Sequence, residues 1–258
     1  MNTINLSDVV YFYGNFPSYA DALQAANKIL PDGYAANSIL QRVADSIQKV
    51  RREEAAFERD GIAFQREDYR FPLLAALMYV AARERRLTVL DFGGSLGSTY
   101  FQNRKLLDGL HVDWNVVEQP HFVAYGKTHV PEVNFYNSIN ECAQLKNINL
   151  VIASSSLIYT DDPFKFMNDL LNVHAKFFII DRTYFNFAPA NRIALEYVPE
   201  SIYKAIYPIT LLNINQFESL VTKFYRPVFY MPTDDITPFI EGNNAQITPC
   251  HGWLFQHL

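Results

Sequence analysis

Cysteine, glycine and tryptophan are scarce in this 258-residue chain, with two, ten and two residues respectively. Two cysteines, Cys142 and Cys250, are too few for a disulfide framework and lack metal-site spacing, so a reducing, cytoplasmic setting is expected. A long apolar run is also missing. The longest candidate, residues 71–82, has the length of a buried helix, not of a membrane span. Residues 1–10 lack the basic patch and apolar stretch of a secretory signal. Nor is there a basic excess: the formal net charge is −5, with 11 Lys/Arg against 11 Asp/Glu up to residue 86 and 11 against 16 beyond it. That balance argues against a nucleic-acid-binding surface. No HExxH motif supports zinc-hydrolase chemistry, and the histidines are too scattered for a metal site.

What the chain does contain is a change of rhythm. The first 86 residues read as a helical segment. Ser18 is placed to cap a helix through Leu30, ended by Pro31-Asp32-Gly33. Asn37 or Ser38 can cap a second helix, with Ile39, Val43, Ile47 and Val50 at helical spacing. A third starts near Pro72 and ends in Arg83, Arg85 and Arg86. Between the last two, residues 60–70 read as a loop able to reach over a neighbouring site, with Phe64 or Tyr69 facing it as part of a lid. From residue 87 short strands (87–92, 112–117, 133–136, 150–154, 177–180) alternate with helices, including one at 163–171 capped by Asp161 or Asp162. Such alternation implies an α/β domain, 87–258, with a parallel sheet. Residues 182–212 look like an insertion. A helix near 215–224 and strands at 228–231 and 251–255 follow, separated by a polar loop at 232–249.

The informative stretch is Val89-Leu90-Asp91-Phe92-Gly93-Gly94-Ser95-Leu96-Gly97-Ser98. An apolar strand enters a glycine-rich turn that opens a helix, the place where nucleotide-like ligands dock on a parallel sheet. A phosphate-binding P-loop would need Gly-Lys-Ser/Thr, which is absent. The dinucleotide pattern Gly-x-Gly-x-x-Gly fails from either Gly93 or Gly94, which ranks a nicotinamide-dependent oxidoreductase last. The acidic-x-Gly-x-Gly-x-Gly motif of class I S-adenosylmethionine (SAM)-dependent methyltransferases fits Asp91 to Gly97, with Ser95 replacing the middle glycine. About 20 residues on, the next strand ends at Glu118, where a carboxylate can accept both ribose hydroxyls. An ordinary α/β turn beside a surface glutamate is the bland alternative.

The chain also resembles a group of bacterial methyltransferases associated with surface-polysaccharide and lipopolysaccharide gene clusters. The resemblance is carried by residues 90–98, 101–105, 114–122 and 180–183, by 54–60, and more loosely by the aromatic cluster Tyr11, Phe12, Tyr13 and Phe16. It spans nearly the whole chain, including the stretch between Val198-Pro199 and Tyr207-Pro208. It implies a Rossmann-like class I methyltransferase sheet, mostly parallel with an antiparallel C-terminal strand, behind an N-terminal helical segment. It further implies SAM as methyl donor, S-adenosylhomocysteine as product, and a link to glycan or sugar-nucleotide metabolism.

The expected cofactor residues are Asp91, Gly93, Gly94, Ser95, Gly97, Glu118 and Gln119. Asn137 and Ser138 are candidate adenine contacts that equally suit a turn, and Ser154 and Ser155 are small enough to let SAM approach. His121 either touches adenine or caps a helix. Asp181 and Arg182 are the catalytic candidates: a base and an anion grip for the acceptor, or a mutual ion pair shaping the loop. Tyrosines and phenylalanines at 184, 185, 187, 197, 203 and 207 fit a sugar platform or, more commonly, core. The expected activity is methyl transfer (EC 2.1.1 type) to an O or N acceptor on a sugar, sugar nucleotide or glycan precursor, without metal, nucleic acid or membrane insertion. The alternative is a non-catalytic partner protein in polysaccharide biosynthesis.

Overall fold

The computed structural model describes residues 9–31, 37–233, 236–241 and 244–258, the side chains of 37, 38, 236, 241 and 244–248 excepted. The chain begins with strand β1 (Tyr11–Phe16), helices α1 (Tyr19–Ile29) and α2 (Asn37–Arg51), a hairpin of β2 (Phe57–Arg59) and β3 (Ile62–Phe64), and helix α3 (Phe71–Glu84). An alternating region follows: β4 (Leu87–Phe92), α4 (Ser98–Asn103), β5 (Val112–Val117), α5 (Pro120–His129), β6 (Asn134–Tyr136), α6 (Ile139–Leu145), β7 (Leu150–Ser154), a 3-10 turn (Leu157–Tyr159), α7 (Pro163–Leu171) and β8 (Phe177–Asn186). The last part holds β9 (Arg192–Val198), β10 (Ala205–Asn213), α8 (Ile214–Val221), β11 (Tyr225–Met231), β12 (Ile236–Glu241) and β13 (Asn244–His257).

Strands β6, β5, β4, β7 and β8 lie side by side and run parallel. The C-terminal half of β13 adds antiparallel to β8, and β11 lies beyond it. This is the expected mixed α/β sheet with its antiparallel C-terminal strand. Buried on both faces, β4 reads as a nearly continuous apolar run. Its Leu87 and Val89 pack with Leu73, Leu77 and Val80 of α3. Leu90 and Phe92 face the other way, toward Met167 and Leu170 of α7. Caps sit where the sequence puts them: Ser18 accepts from the Asp21 amide at 3.1 Å, and Asp162 from the Lys165 amide at 3.0 Å. The capping residue of α2 lies outside the described side chains, as do Asp32 and Gly33 after α1. Among the described residues no helix is long and apolar enough to cross a membrane.

Several elements differ from the sequence reading, and most differ in one direction: strands replace loop or helix. The aromatic cluster at 11–16 is β1, so the segment up to residue 86 is not purely helical. Aromatic side chains alternate well on a pleated surface, and Tyr11 stacks on Tyr197 of β9 at 4.7 Å. The supposed loop at 60–70 begins as a hairpin whose two-residue turn is Asp60-Gly61, both at positive φ (52° and 74°). Strand β8 does not end at Asp181 but runs on to Asn186, and the insertion at 182–212 is this extension plus β9 and β10. The polar loop at 232–249 contains β12 and the start of β13. Ser138 caps a helix, α6, that the periodicity missed, accepting from the Glu141 amide at 3.1 Å.

The extra strands have a shared purpose. Pairings run β8–β10–β9–β1–β12–β13 and return to β8, so six strands close into a ring on the end of the parallel sheet. The ring turns the upper part of β8 into a corner shared with the main sheet. At that corner Asp181 is fully buried. Its Oδ1 accepts from the Arg70 guanidinium at 2.7 Å and its Oδ2 from the Ser154 hydroxyl at 3.0 Å. The ion pair joins the lead-in to α3 to the sheet. Removing one member of a buried pair strands the other charge, at a cost of about 3–5 kcal/mol. Arg70→Met is therefore expected to lower the unfolding free energy by about 3 kcal/mol in urea denaturation; a loss too small to measure would show the pair to be incidental.

Candidate active-site cavity

One cavity of about 1650 Å³ opens over the carboxyl ends of β4, β5 and β7 and extends beneath the ring. Strand order reverses at β4, with β5 and β6 on one side and β7 and β8 on the other. Open α/β sheets bind ligands at such a switch point.

The turn after β4 forms one wall. Gly93 has φ 70°, and a Cβ there would lie 2.5 Å from the Ser156 side chain. A Cβ on Gly94 would lie 2.5 Å from Asp91 Oδ2. Both glycines are thus required by close approach. Ser95 adopts φ 55°, the left-handed region that favours glycine, which explains why the motif has glycine there; serine accepts it at a cost of about 1–2 kcal/mol. Gly97, at φ 89°, is the N-cap of α4 and packs toward Val133. It shapes the turn without lining the cavity.

Two carboxylates anchor this wall. Asp91 is buried, and its Oδ2 accepts from the Trp114 indole at 2.9 Å. Burial pushes its pKa up to about 7, against the lowering effect of the indole bond. Glu118 accepts from the Ser95 amide through Oε2 at 3.2 Å and from the Gln119 amide through Oε1 at 2.8 Å. It lines the cavity against the glycine turn, and desolvation holds its pKa above the ordinary range. Gln119, Asn137, Ser138, Ser154 and Ser155 also reach the cavity, so ten of the eleven expected cofactor residues meet in one place and only Gly97 stands behind.

The other expectations divide. Arg182 lines the cavity, in a left-handed conformation at φ 47°. Asp181 does not: both its oxygens are taken up in the wall, and its ion-pair partner is Arg70. His121 neither lines the cavity nor caps α5, whose N-cap is Gln119. Phe64 and Tyr69 are not at the cavity. Phe64 stacks on Phe57 at 4.6 Å. Instead, the N-terminal segment presents Tyr19 and Leu23 of α1 and Glu58, Arg59 and Asp60 of the hairpin.

Sequence reasoning missed two buried acids. Glu58 ties the hairpin to the start of α4: Oε1 accepts from the Gly61 amide at 2.8 Å, and Oε2 accepts a short hydrogen bond from Ser98. Its pKa rises to about 7 through burial. Glu196 lies on β9 beneath the ring, surrounded by Tyr159, Tyr203 and Tyr207, and burial raises it to about 8. Of the aromatic candidates, Tyr184, Tyr203 and Tyr207 line the cavity, whereas Phe185, Phe187 and Tyr197 do not. The Asp60-Gly61 turn was a usable signal for the hairpin, and so for Glu58.

No family model matches the sequence, and no curated protein matches it. Solved structures are similar at low identity. The PH0226 protein of Pyrococcus horikoshii OT3 shares 12% identity at a TM-score of 0.46, over 75% of this chain and 92% of that one. An S-adenosylmethionine-dependent methyltransferase from Clostridium acetobutylicum ATCC 824 shares 10% at 0.43, over 74% and 92%. A SAM-bound amino pentose methyltransferase from Micromonospora echinaspora shares 11% at 0.42, over 73% and 90%. At such TM-scores these likenesses carry no argument about this chain, whose fold rests on its own strand order.

The raised carboxyls fix the sign of a pH effect. Asp91, Glu58, Glu118 and Glu196 keep their protons in the folded chain at pH values where the unfolded chain, titrating near 4, has lost them. Unfolding free energy of the unliganded protein should therefore fall as pH rises from about 4 through about 8. In urea titrations at pH 5 and pH 8, Asp91→Asn with Glu196→Gln should flatten that fall; a wild-type stability that rises over the interval would contradict the assignment.

Proposed function

We propose that this protein is a methyltransferase using S-adenosylmethionine as donor. The observation that carries the reading is the contact between Glu118 and the amide of Ser95. It sets a ribose-binding carboxylate against a glycine turn, at the mouth of a cavity on the switch point of the sheet. The residues present fit such a donor. Gly93 and Gly94 let the backbone of the turn pack directly on Ser156 and Asp91 in the cavity wall, and Glu118 retains lone pairs for two hydroxyls. Gln119, Asn137 and Ser138 stand where an adenine edge would be read, and Ser154 and Ser155 keep the floor beyond β7 low. Gly97 holds the turn's exit, and Asp91 supports it from beneath.

When bound, the donor supplies a sulfonium methyl. The chain's own task is alignment and exclusion of water. Typical small-molecule pockets run to about 300–1,000 Å³, so a cavity of about 1650 Å³ has room for donor and acceptor together. That size supports turnover over a purely scaffolding role in polysaccharide biosynthesis. Arg182 offers a guanidinium to a carboxylate or phosphate on the acceptor. Asp181, engaged on both oxygens, holds the wall. The segment up to residue 86 closes the cavity through α1 and the hairpin tip. The acceptor is an O or N nucleophile on a small polar molecule; the resemblance to polysaccharide-linked methyltransferases points to a sugar, sugar nucleotide or glycan precursor.

Calorimetry with SAM and with S-adenosylhomocysteine tests this directly. Both should bind, and Glu118→Ala should weaken both by roughly 30-fold, the loss of about 2 kcal/mol of charge-assisted hydrogen bonding. Absence of heat with either ligand would overturn the reading.

A further inference from the structure

Beneath the ring the cavity changes character. Glu196 is 6% exposed and faces the cavity from β9. In register, Phe12 of β1 and Tyr207 of β10 flank it on the same face. One carboxyl oxygen meets the Tyr159 hydroxyl, whereas Oε2 is buried with no hydrogen-bond partner. Tyr159 and Tyr207 meet edge to face at 5.5 Å, and the Tyr203 and Tyr207 hydroxyls lie 3.2 Å apart. Burial raises the pKa of all three phenols, so they remain neutral. Charged and titratable neighbours are Asp60 at the hairpin tip, and Arg182 and Tyr184 on β8.

A buried carboxyl with an unsatisfied oxygen is costly unless something completes it. Three tyrosines beside it, with aromatic rings and hydroxyls together, favour a cation that also donates hydrogen bonds. A primary or secondary ammonium meets both requirements, whereas a neutral hydroxyl meets only the second. We infer that this end of the cavity is an amine subsite in which Glu196 receives the acceptor's ammonium and serves as its proton acceptor.

This inference rests on the methyltransferase reading for its chemistry. An ammonium nitrogen has no lone pair to donate. Its proton passes to the Glu196 carboxylate, leaving a neutral amine and a carboxylic acid. The nitrogen lone pair then forms the N–C bond to the donor methyl as the C–S bond breaks, its electron pair remaining on sulfur as a neutral thioether. The product is a methylated ammonium, which keeps the positive charge, and Glu196 returns its proton to solvent on product release. Burial sets the Glu196 pKa near 8, close to the range in which a base works at neutral pH.

The test uses the smallest matched probes, ethylammonium chloride and ethanol, on the full-length protein with and without S-adenosylhomocysteine. Carbon-detected NMR of glutamate side chains follows the Glu196 titration, assigned by its loss in Glu196→Gln. Ethylammonium should lower the Glu196 midpoint by about one pH unit or more, and ethanol should leave it in place. The wild-type comparison stands even if the variant folds poorly; if it folds, S-adenosylhomocysteine affinity should stay within about twofold. Equal response to both probes, or ethylammonium binding that Glu196→Gln leaves intact, would overturn the amine subsite. The donor reading fails separately, by absence of heat with SAM while the two probes still differ.

Discussion

Much of the site depends on how the carboxylate of Asp91 is housed. It lies under Gly94 with no room for a Cβ between them, and the Trp114 indole from the neighbouring strand fixes the oxygen nearest that glycine. Three constraints follow from that one placement. Residue 94 has to be glycine, the turn bends tightly over the strand end, and the Ser95 amide emerges pointing at the end of β5, where Glu118 accepts it. A larger residue at 94 or a smaller one at 114 would alter the bend, and with it the cradle. Burying a carboxyl this way is unfavourable for its ionised form, as its raised pKa records.

The second feature is the ring, which converts an open sheet edge into a wall. In a simpler α/β protein the strand after α7 would stop at Asp181. Here β8 continues, and β10, β9, β1, β12 and β13 complete the circuit. The N-terminal strand is therefore a structural part of the ring and not an appendage, because β1 lies between β9 and β12. The Arg70–Asp181 pair and the Tyr19 hydroxyl, which donates to the Tyr159 carbonyl at 2.9 Å, fasten the rest of the leading segment to the same region. The outcome is a chamber whose far end is shielded from water, where polar contacts gain strength and unpaired groups become expensive.

Local chemistry wrote some of this plainly into the sequence and left the rest to tertiary closure. The glycine turn, Glu118, the Ser18 cap and the limits of α7 are legible because each depends on residues within one or two elements. Asp60-Gly61 was equally local, and was hidden only by the charged residues around it. Glu196 is a different case. Along β9, Arg192, Ala194, Glu196 and Val198 share one face, and that alternation with Ile193, Leu195 and Tyr197 looks like a strand with a wet side. Periodicity tells which residues share a face; it does not tell whether that face meets solvent. Closure with β1, from the far end of the chain, turns the polar face inward. Asp181 fails for a related reason: its partner, Arg70, is 111 residues away in sequence.

A crystal structure with S-adenosylhomocysteine bound is the most direct measurement of the central claim. The nucleoside should lie against the backbone of residues 93–95, with its ribose hydroxyls within about 3 Å of the Glu118 carboxylate and its sulfur facing the tyrosine-lined chamber. A nucleoside seated elsewhere, or a Glu118 side chain turned away from the ribose, would contradict it.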